Sequence, residues 1–320
     1  MLRQETKAAR KAARATVGGL EGGQSETRMK RNKKAAALFL AWCGRAGLPL
    51  CDDTARLATA MTAFVLDCWH EGEGKDVCCS AIFGCAALLS LESKTVFTVS
   101  WRLLKKWSKL ELPRQAPPAL RLETLALAGL AWRENKRGLA IGLLLAYDLF
   151  LRTGEWANID FAQVEGSAAV GLTISLGETK GVKRRGGVEM VTCRDETLIN
   201  LYLQHCGNQR SGRLLEISED AMRRWFKTAC TKLLIGHRRL TPYSLRRGGL
   251  SAAAADGVAV STLALRARWQ DTRTAKVYIH EGQLALAELR LEAAAEQSLR
   301  QASALSWCHR RGVLSVTGPR

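Results

Sequence analysis

The stretch that most constrains the fold is Gly138–Leu151, GLAIGLLLAYDLFL. It is apolar on every face of a helix, so it has to be enclosed on all sides. Its 14 residues are short for a bilayer crossing and include Asp148, which points to a helix buried in a protein core. The run leads straight into Arg152. A charge at the end of an enclosed helix is costly without a partner, and Glu155, three residues on, is placed to orient it. A purely structural ion pair is the plainer alternative.

The chain has 320 residues, 47% of them hydrophobic, which is enough for two domains of ordinary size and a sizeable core. Net charge is +18 and the pI about 9.8. That excess points to a polyanionic partner. No apolar run is long enough to favour a membrane, and the charged N-terminus lacks the apolar centre of a secretory signal. An intracellular protein associated with double-stranded DNA is expected, nuclear in a eukaryote and otherwise in the cytoplasm or nucleoid. Cys43, Cys51, Cys68, Cys78, Cys79 and Cys85 sit among apolar residues, and no two CxxC units pair up. Reduced core thiols are therefore expected, with no metal and no cofactor.

Residues 1–34 read as a basic, disordered tail, with Lys30–Lys34 either solvated, touching phosphates or serving as a nuclear address. Residues 35–112 read as a small helical domain. Its helices are Ala35–Arg45, Thr54–His70 capped by Asp52 or Asp53, Asp76–Leu91 and Thr98–Leu110. The last carries Arg102, Lys105, Lys106 and Lys109. Pro113, Pro117 and Pro118 mark a linker, 113–118. In the second domain, helices are expected over Leu120–Arg133, Gly138–Leu151, Asp195–Gln204 and Glu219–Gly236. Val170–Leu176 and Val188–Cys193 read as strands of a hairpin. The loop between them carries Lys180, Lys183, Arg184 and Arg185, four cations in six residues suited to a phosphate backbone. Gly282–Trp307 reads as one amphipathic helix, free to pack on its own domain or on a neighbouring subunit. The fold class is mainly α with a small antiparallel sheet in the second domain.

Between Tyr243 and His280 the chain concentrates donors suited to a phosphodiester: Arg246, then Trp269 23 residues on, then Tyr278 nine residues later. With Arg152-x-x-Glu155 and Lys180, 28 residues after Arg152 on the hairpin, these boxes resemble the tyrosine recombinase (phage integrase) family. The resemblance covers roughly 119–290 as a catalytic domain. The helical unit before it resembles the family's core-binding domain, and 291–320 is left as a C-terminal helix and tail. The family usually has His-x-x-Arg where this chain has Tyr243-Ser-Leu-Arg246, a phenol where an imidazole is usual.

The resemblance implies a metal- and ATP-independent DNA strand transferase. Tyr278 is then the nucleophile that forms a 3′-phosphotyrosyl intermediate. Arg152, Arg246 and Trp269 are phosphate donors, Lys180 is the general acid, Tyr243 a weak donor, and Glu155 holds Arg152. Lys183, Arg184, Arg185, Arg102, Lys105, Lys106, Arg247 and Arg268 are expected to contact DNA. A tetramer on DNA, joined through the C-terminal helix, is carried over from the family. Rival readings are a catalytically impaired, domesticated DNA-binding protein of the same fold, a type IB topoisomerase-like enzyme, and a helical interaction protein with a fortuitous motif.

Overall fold

The computed structural model describes residues 26–48, 53–111, 115–177, 188–207, 209–269, 271–272 and 275–303. The chain divides between Arg114 and Gln115 into two compact units. Among the described residues, no helix is long and apolar enough to cross a membrane.

The first unit is helical: α1 Glu26–Arg45, α2 Thr54–His70, α3 Lys75–Leu88, the single turn α4 Ser93–Val96 and α5 Thr98–Leu110. Asp53 caps α2 by accepting the Ala55 N–H at 2.8 Å. Its core is apolar and aromatic: Phe39, Met61, Phe64, Ile82, Phe97 and Trp107 are buried, with Phe39 and Phe64 meeting edge to face at 5.4 Å. On α5, Leu104 and Trp107 face inward while Arg102, Lys105, Lys106 and Lys109 stay exposed. The third helix ends at Leu88 rather than Leu91, and the largest boundary difference is at the start. The first helix begins at Glu26 rather than Ala35. Its charged opening turns contain no glycine or proline, and Glu26 pairs with Lys30 one turn on at 2.7 Å, so dense charge there means a solvated helix face rather than a disordered tail. Residues 1–25 lie outside the described part.

The second unit opens with α6 Arg121–Arg133 and α7 Arg137–Asp148. The short helix α8 Thr153–Trp156 and the strands β1 Val164–Ser167, β2 Gly171–Ser175 and β3 Met190–Cys193 follow. Then come α9 Glu196–Cys206, α10 Glu219–Lys232, α11 Pro242–Ala255, α12 Val260–Arg266, α13 Ala275–Tyr278, α14 Glu281–Leu289 and α15 Ala293–Ser303. The apolar helix α7 is enclosed, as its composition demands, by α6, α9 and α11. The sheet is antiparallel in the order β1-β2-β3, with Leu172 opposite Cys193 and Ile174 opposite Val191. Those four residues form its buried face. The chain is thus mainly helical with one small antiparallel sheet.

Two features differ from the sequence reading. Strand β1 is absent from it, because Val-Glu-Gly-Ser is an edge strand with one half-buried and three exposed residues and carries no alternating apolar signal. The expected single helix Gly282–Trp307 is instead two helices broken around Arg290. The break lets two apolar stripes face different partners: α14 packs on α11, and α15 packs on α6. Ala295, Leu299 and Ala302 are fully enclosed in the second unit's own core, so residues 293–303 belong to that unit and are not a free subunit-docking arm.

Candidate active site

Helix α11 begins with Pro242 at its first turn, and the Ser244 hydroxyl accepts the Thr241 N–H at 3.0 Å, a cap that fixes where the helix starts. Gly248 and Gly249 let it approach other backbones closely. A Cβ on Gly248 would lie 2.0 Å from the Ala119 oxygen, and one on Gly249 2.0 Å from the Tyr147 oxygen. This packing sets Arg246 at 1% exposure. Its Nη1 donates to the Phe150 carbonyl just past α7, and its Nη2 to the Ala267 carbonyl just past α12 at 2.8 Å. A cation at two helix C-termini is favourably placed. The guanidinium also lies 5.5 Å from the Trp269 ring and 6.0 Å from the Tyr278 ring, within cation–π range. Burial, followed by Arg268 and Arg152, lowers its pKa to about 10; it stays charged at neutral pH.

Tyr278 ends the short helix α13. Its backbone is tied to α11 through Ser251, whose hydroxyl donates to the Tyr278 carbonyl at 3.4 Å and accepts the His280 N–H at 2.9 Å. The Tyr278 ring lies 4.8 Å from Trp269 and 6.1 Å from Tyr243. Burial, then the neighbouring Tyr278 phenol, pushes the Tyr243 phenol up, while Arg246 and Arg152 pull it down. Tyr243 is therefore a donor at neutral pH and not a base.

Arg152 stands at the start of α8. Glu155 accepts its backbone N–H at 2.7 Å and its Nη1 at 2.6 Å, so one carboxylate both caps the short helix and holds the arginine. The second oxygen of Glu155 also takes Arg268 Nη2 at 2.6 Å. Glu189, beside β3, lies 3.9 Å from Arg152 and 3.6 Å from Arg268. Burial alone would raise the Glu155 pKa, but Arg268 and the Arg152 contacts override it and bring it down.

The structure therefore gathers Arg152, Glu155, Tyr243, Arg246, Trp269 and Tyr278 around one locus. Lys180, Lys183, Arg184 and Arg185 lie outside the described residues. Arg102, Lys105 and Lys106 are exposed on α5 of the first unit. Two residues read as DNA contacts are internal instead. Arg247 is 3% exposed and donates to Gln115 Oε1 at 2.6 Å, and Arg268 is committed to Glu155 and Glu189. Arg238, in the basic run before α11, likewise turns inward to Glu123 at 2.9 Å. The sequence reading missed Glu189 and the inward role of Arg268; a buried residue's charge partner has no fixed spacing to reveal it. Cys43, Cys68, Cys78 and Cys85 are buried free thiols, and among the described residues no group of three His, Cys, Asp or Glu is arranged to hold a metal ion.

This is the tyrosine recombinase fold. The crystal structure of a lambda integrase(75-356) dimer bound to a COC′ core site matches with TM-score 0.50 at 11% identity, covering 82% of this chain and 91% of that one. A second lambda integrase dimer on a COC′ core site gives TM-score 0.47 at 13% identity, covering 86% and 87%. XerA recombinase gives 0.42 at 14%, covering 84% and 94%. The fold assignment rests on the first of these. No family model and no curated protein matches the chain.

Proposed function

We propose that the protein is a site-specific DNA strand transferase that cuts and rejoins duplex DNA through Tyr278. The observation that carries this reading is that Arg246, Trp269 and Tyr278 pack together, with Arg152 close enough to act on Arg246, although the four lie far apart in sequence. The Tyr278 phenol oxygen attacks the scissile phosphorus and gives up its proton to solvent. The P–O5′ bond breaks as a 3′-phosphotyrosyl bond forms. Lys180 supplies the proton to the departing 5′-oxygen, a role that comes from the sequence resemblance alone. Arg152 offers an accessible guanidinium to a non-bridging oxygen. Among the described residues the Arg246 Nε–H has no hydrogen-bond partner, and its guanidinium lies 6.0 Å from the Tyr278 ring. A 5′-hydroxyl from a second strand reverses the step, so neither ATP nor metal enters. Assembly on DNA through the C-terminal helix would require α15 to exchange its packing on α6 for the same packing on another copy.

A second reading, a DNA-binding protein of this fold with impaired chemistry, is favoured by one observation: Tyr243, with its pKa pushed up, occupies the usual histidine place. One experiment separates the two. A library of duplexes, each nicked on the 3′ side of a random site, traps a covalent adduct that survives denaturation if Tyr278 is active, and Tyr278→Phe traps none. Salt-sensitive DNA binding without any adduct supports the impaired form.

A further inference from the structure

We propose that Arg268 is a positioning residue for Arg152, and that it acts by drawing two carboxylates away from that arginine's open edge. The inference rests on the strand-transferase reading of this site. Among the described residues four side chains form the network, and of these Arg152 is the most open, its side chain 30% exposed against 6% for Glu155, 8% for Arg268 and 10% for Glu189. Arg268 holds one Glu155 oxygen at 2.6 Å, and Glu189 lies nearer to Arg268, at 3.6 Å, than to Arg152, at 3.9 Å. Without Arg268, the negative charge of both carboxylates would bear more strongly on Arg152, the guanidinium they share with it. They would then compete with an incoming phosphate for the same fork.

The backbone gives independent support. Arg268 has φ 59°, a left-handed conformation that suits glycine and is uncommon for a long side chain. A strained arginine kept where glycine fits best is accounted for by its two carboxylate contacts. Glu189 adds a mechanical link. Its carbonyl accepts the Leu176 N–H at 2.9 Å, the last pairing among the described residues of β2 and β3, so the same residue joins these strands to the arginine cluster.

The test uses the full chain and four variants: Arg268→Gly, which relieves the backbone and so favours a folded product; Arg268→Lys; Glu189→Gln; and Arg268→Gly with Glu189→Gln. The first readout is the rate of covalent adduct formation on saturating nicked DNA. Arg268→Gly is expected to lower it by about 10²-fold, as misplacing one reacting group does. DNA affinity, spread over many phosphates, should change by less than about threefold. Arg268→Lys should fall between, since an ammonium lacks the fork. Removing the competing charge in the double variant should recover about tenfold of the lost rate. A wild-type rate in Arg268→Gly, or a double variant no faster than Arg268→Gly, overturns the proposal. The second readout is thermal stabilisation by inorganic phosphate at constant ionic strength, which needs no chemistry. If wild type forms no adduct on any DNA, the strand-transferase reading fails. The inference then stands or falls on whether phosphate stabilisation is lost in Arg268→Gly and regained in the double variant, equal shifts in all four overturning it.

Discussion

The two units handle charge in opposite ways. Among the described residues of the first, the fully enclosed side chains are mostly aliphatic, aromatic or thiol, with Asn32, Ser80 and Ser100 as the buried polar residues. Its cations lie on solvent-facing helix surfaces such as that of α5. In the second, Glu123, Arg246 and Arg247 are 0%, 1% and 3% exposed. Buried charge is expensive and rarely adds net stability over well-packed apolar groups. The second unit therefore carries these groups for what they do, and each is held by a carbonyl, a carboxylate or an amide. On the proposed reading, surface cations of the first unit would supply diffuse attraction to a polyanion and enclosed cations of the second fixed direction.

The largest expected effect breaks one buried pair. Glu123 accepts the Leu120 N–H at 2.7 Å and pairs with Arg238 at 2.9 Å. Glu123→Gln leaves Arg238 enclosed without a counter-charge, which should cost about 3–5 kcal/mol, read as a lower urea midpoint for the second unit. A loss below about 1 kcal/mol would show that this arginine is effectively solvated, and the contrast between the units would weaken.

Within the second unit, the two site arginines should separate. Arg246→Met removes the donors to two buried carbonyls, at about 1–3 kcal/mol each, and should depress both stability and adduct rate. Arg152, at 30% side-chain exposure, should lose rate by about 10²–10³-fold on the same substitution with stability changed by about 0.5 kcal/mol or less. Equal thermal shifts for the two would refute the view that Arg246 is both scaffold and donor.

Acid should expose a smaller difference. Burial alone would raise the Glu134 pKa, but hydrogen bonds from Lys136, Lys232 and Trp225 bring it down to about 2. A depressed carboxylate pKa stabilises the fold above its ordinary value of about 4.5 and loses that contribution as pH falls through about 2. Glu123 runs the other way: burial raises its pKa against the pull of Arg238, so its ionisation opposes folding as pH rises. Glu134→Gln should therefore flatten the acid limb of the stability curve between pH about 4.5 and 2. A limb unchanged from wild type would remove Glu134 from the account.

How much of this was legible in the sequence follows from the same division. The enclosed helix α7, the capped start of α2, and the hairpin strands β2 and β3 are visible because apolar periodicity and cap residues are local signals. The positions of Arg152, Arg246, Trp269 and Tyr278 are legible through their spacing. Strand β1 is not, having no apolar face, and neither is the break between α14 and α15, which depends on two distant packing partners. Arg247 and Arg268 were misread as DNA contacts because composition records a cation but not its counter-charge. Glu155 is legible beside Arg152, three residues away, whereas Glu189 reaches the site only through strand pairing.

The smallest effect concerns the first unit. Lys105 is exposed on α5, opposite the face that buries Leu104 and Trp107. If such a lysine neutralises one phosphate, Lys105→Ala should weaken DNA binding to a similar degree on every sequence and reduce the salt slope by about 1. Thermal stability should stay within about 0.5 kcal/mol, as for other solvated surface sites. Lys106→Ala offers a replicate one residue along the same exposed face. A loss confined to particular DNA sequences would mean that α5 reads base edges, giving the first unit the same fixed directionality as the second.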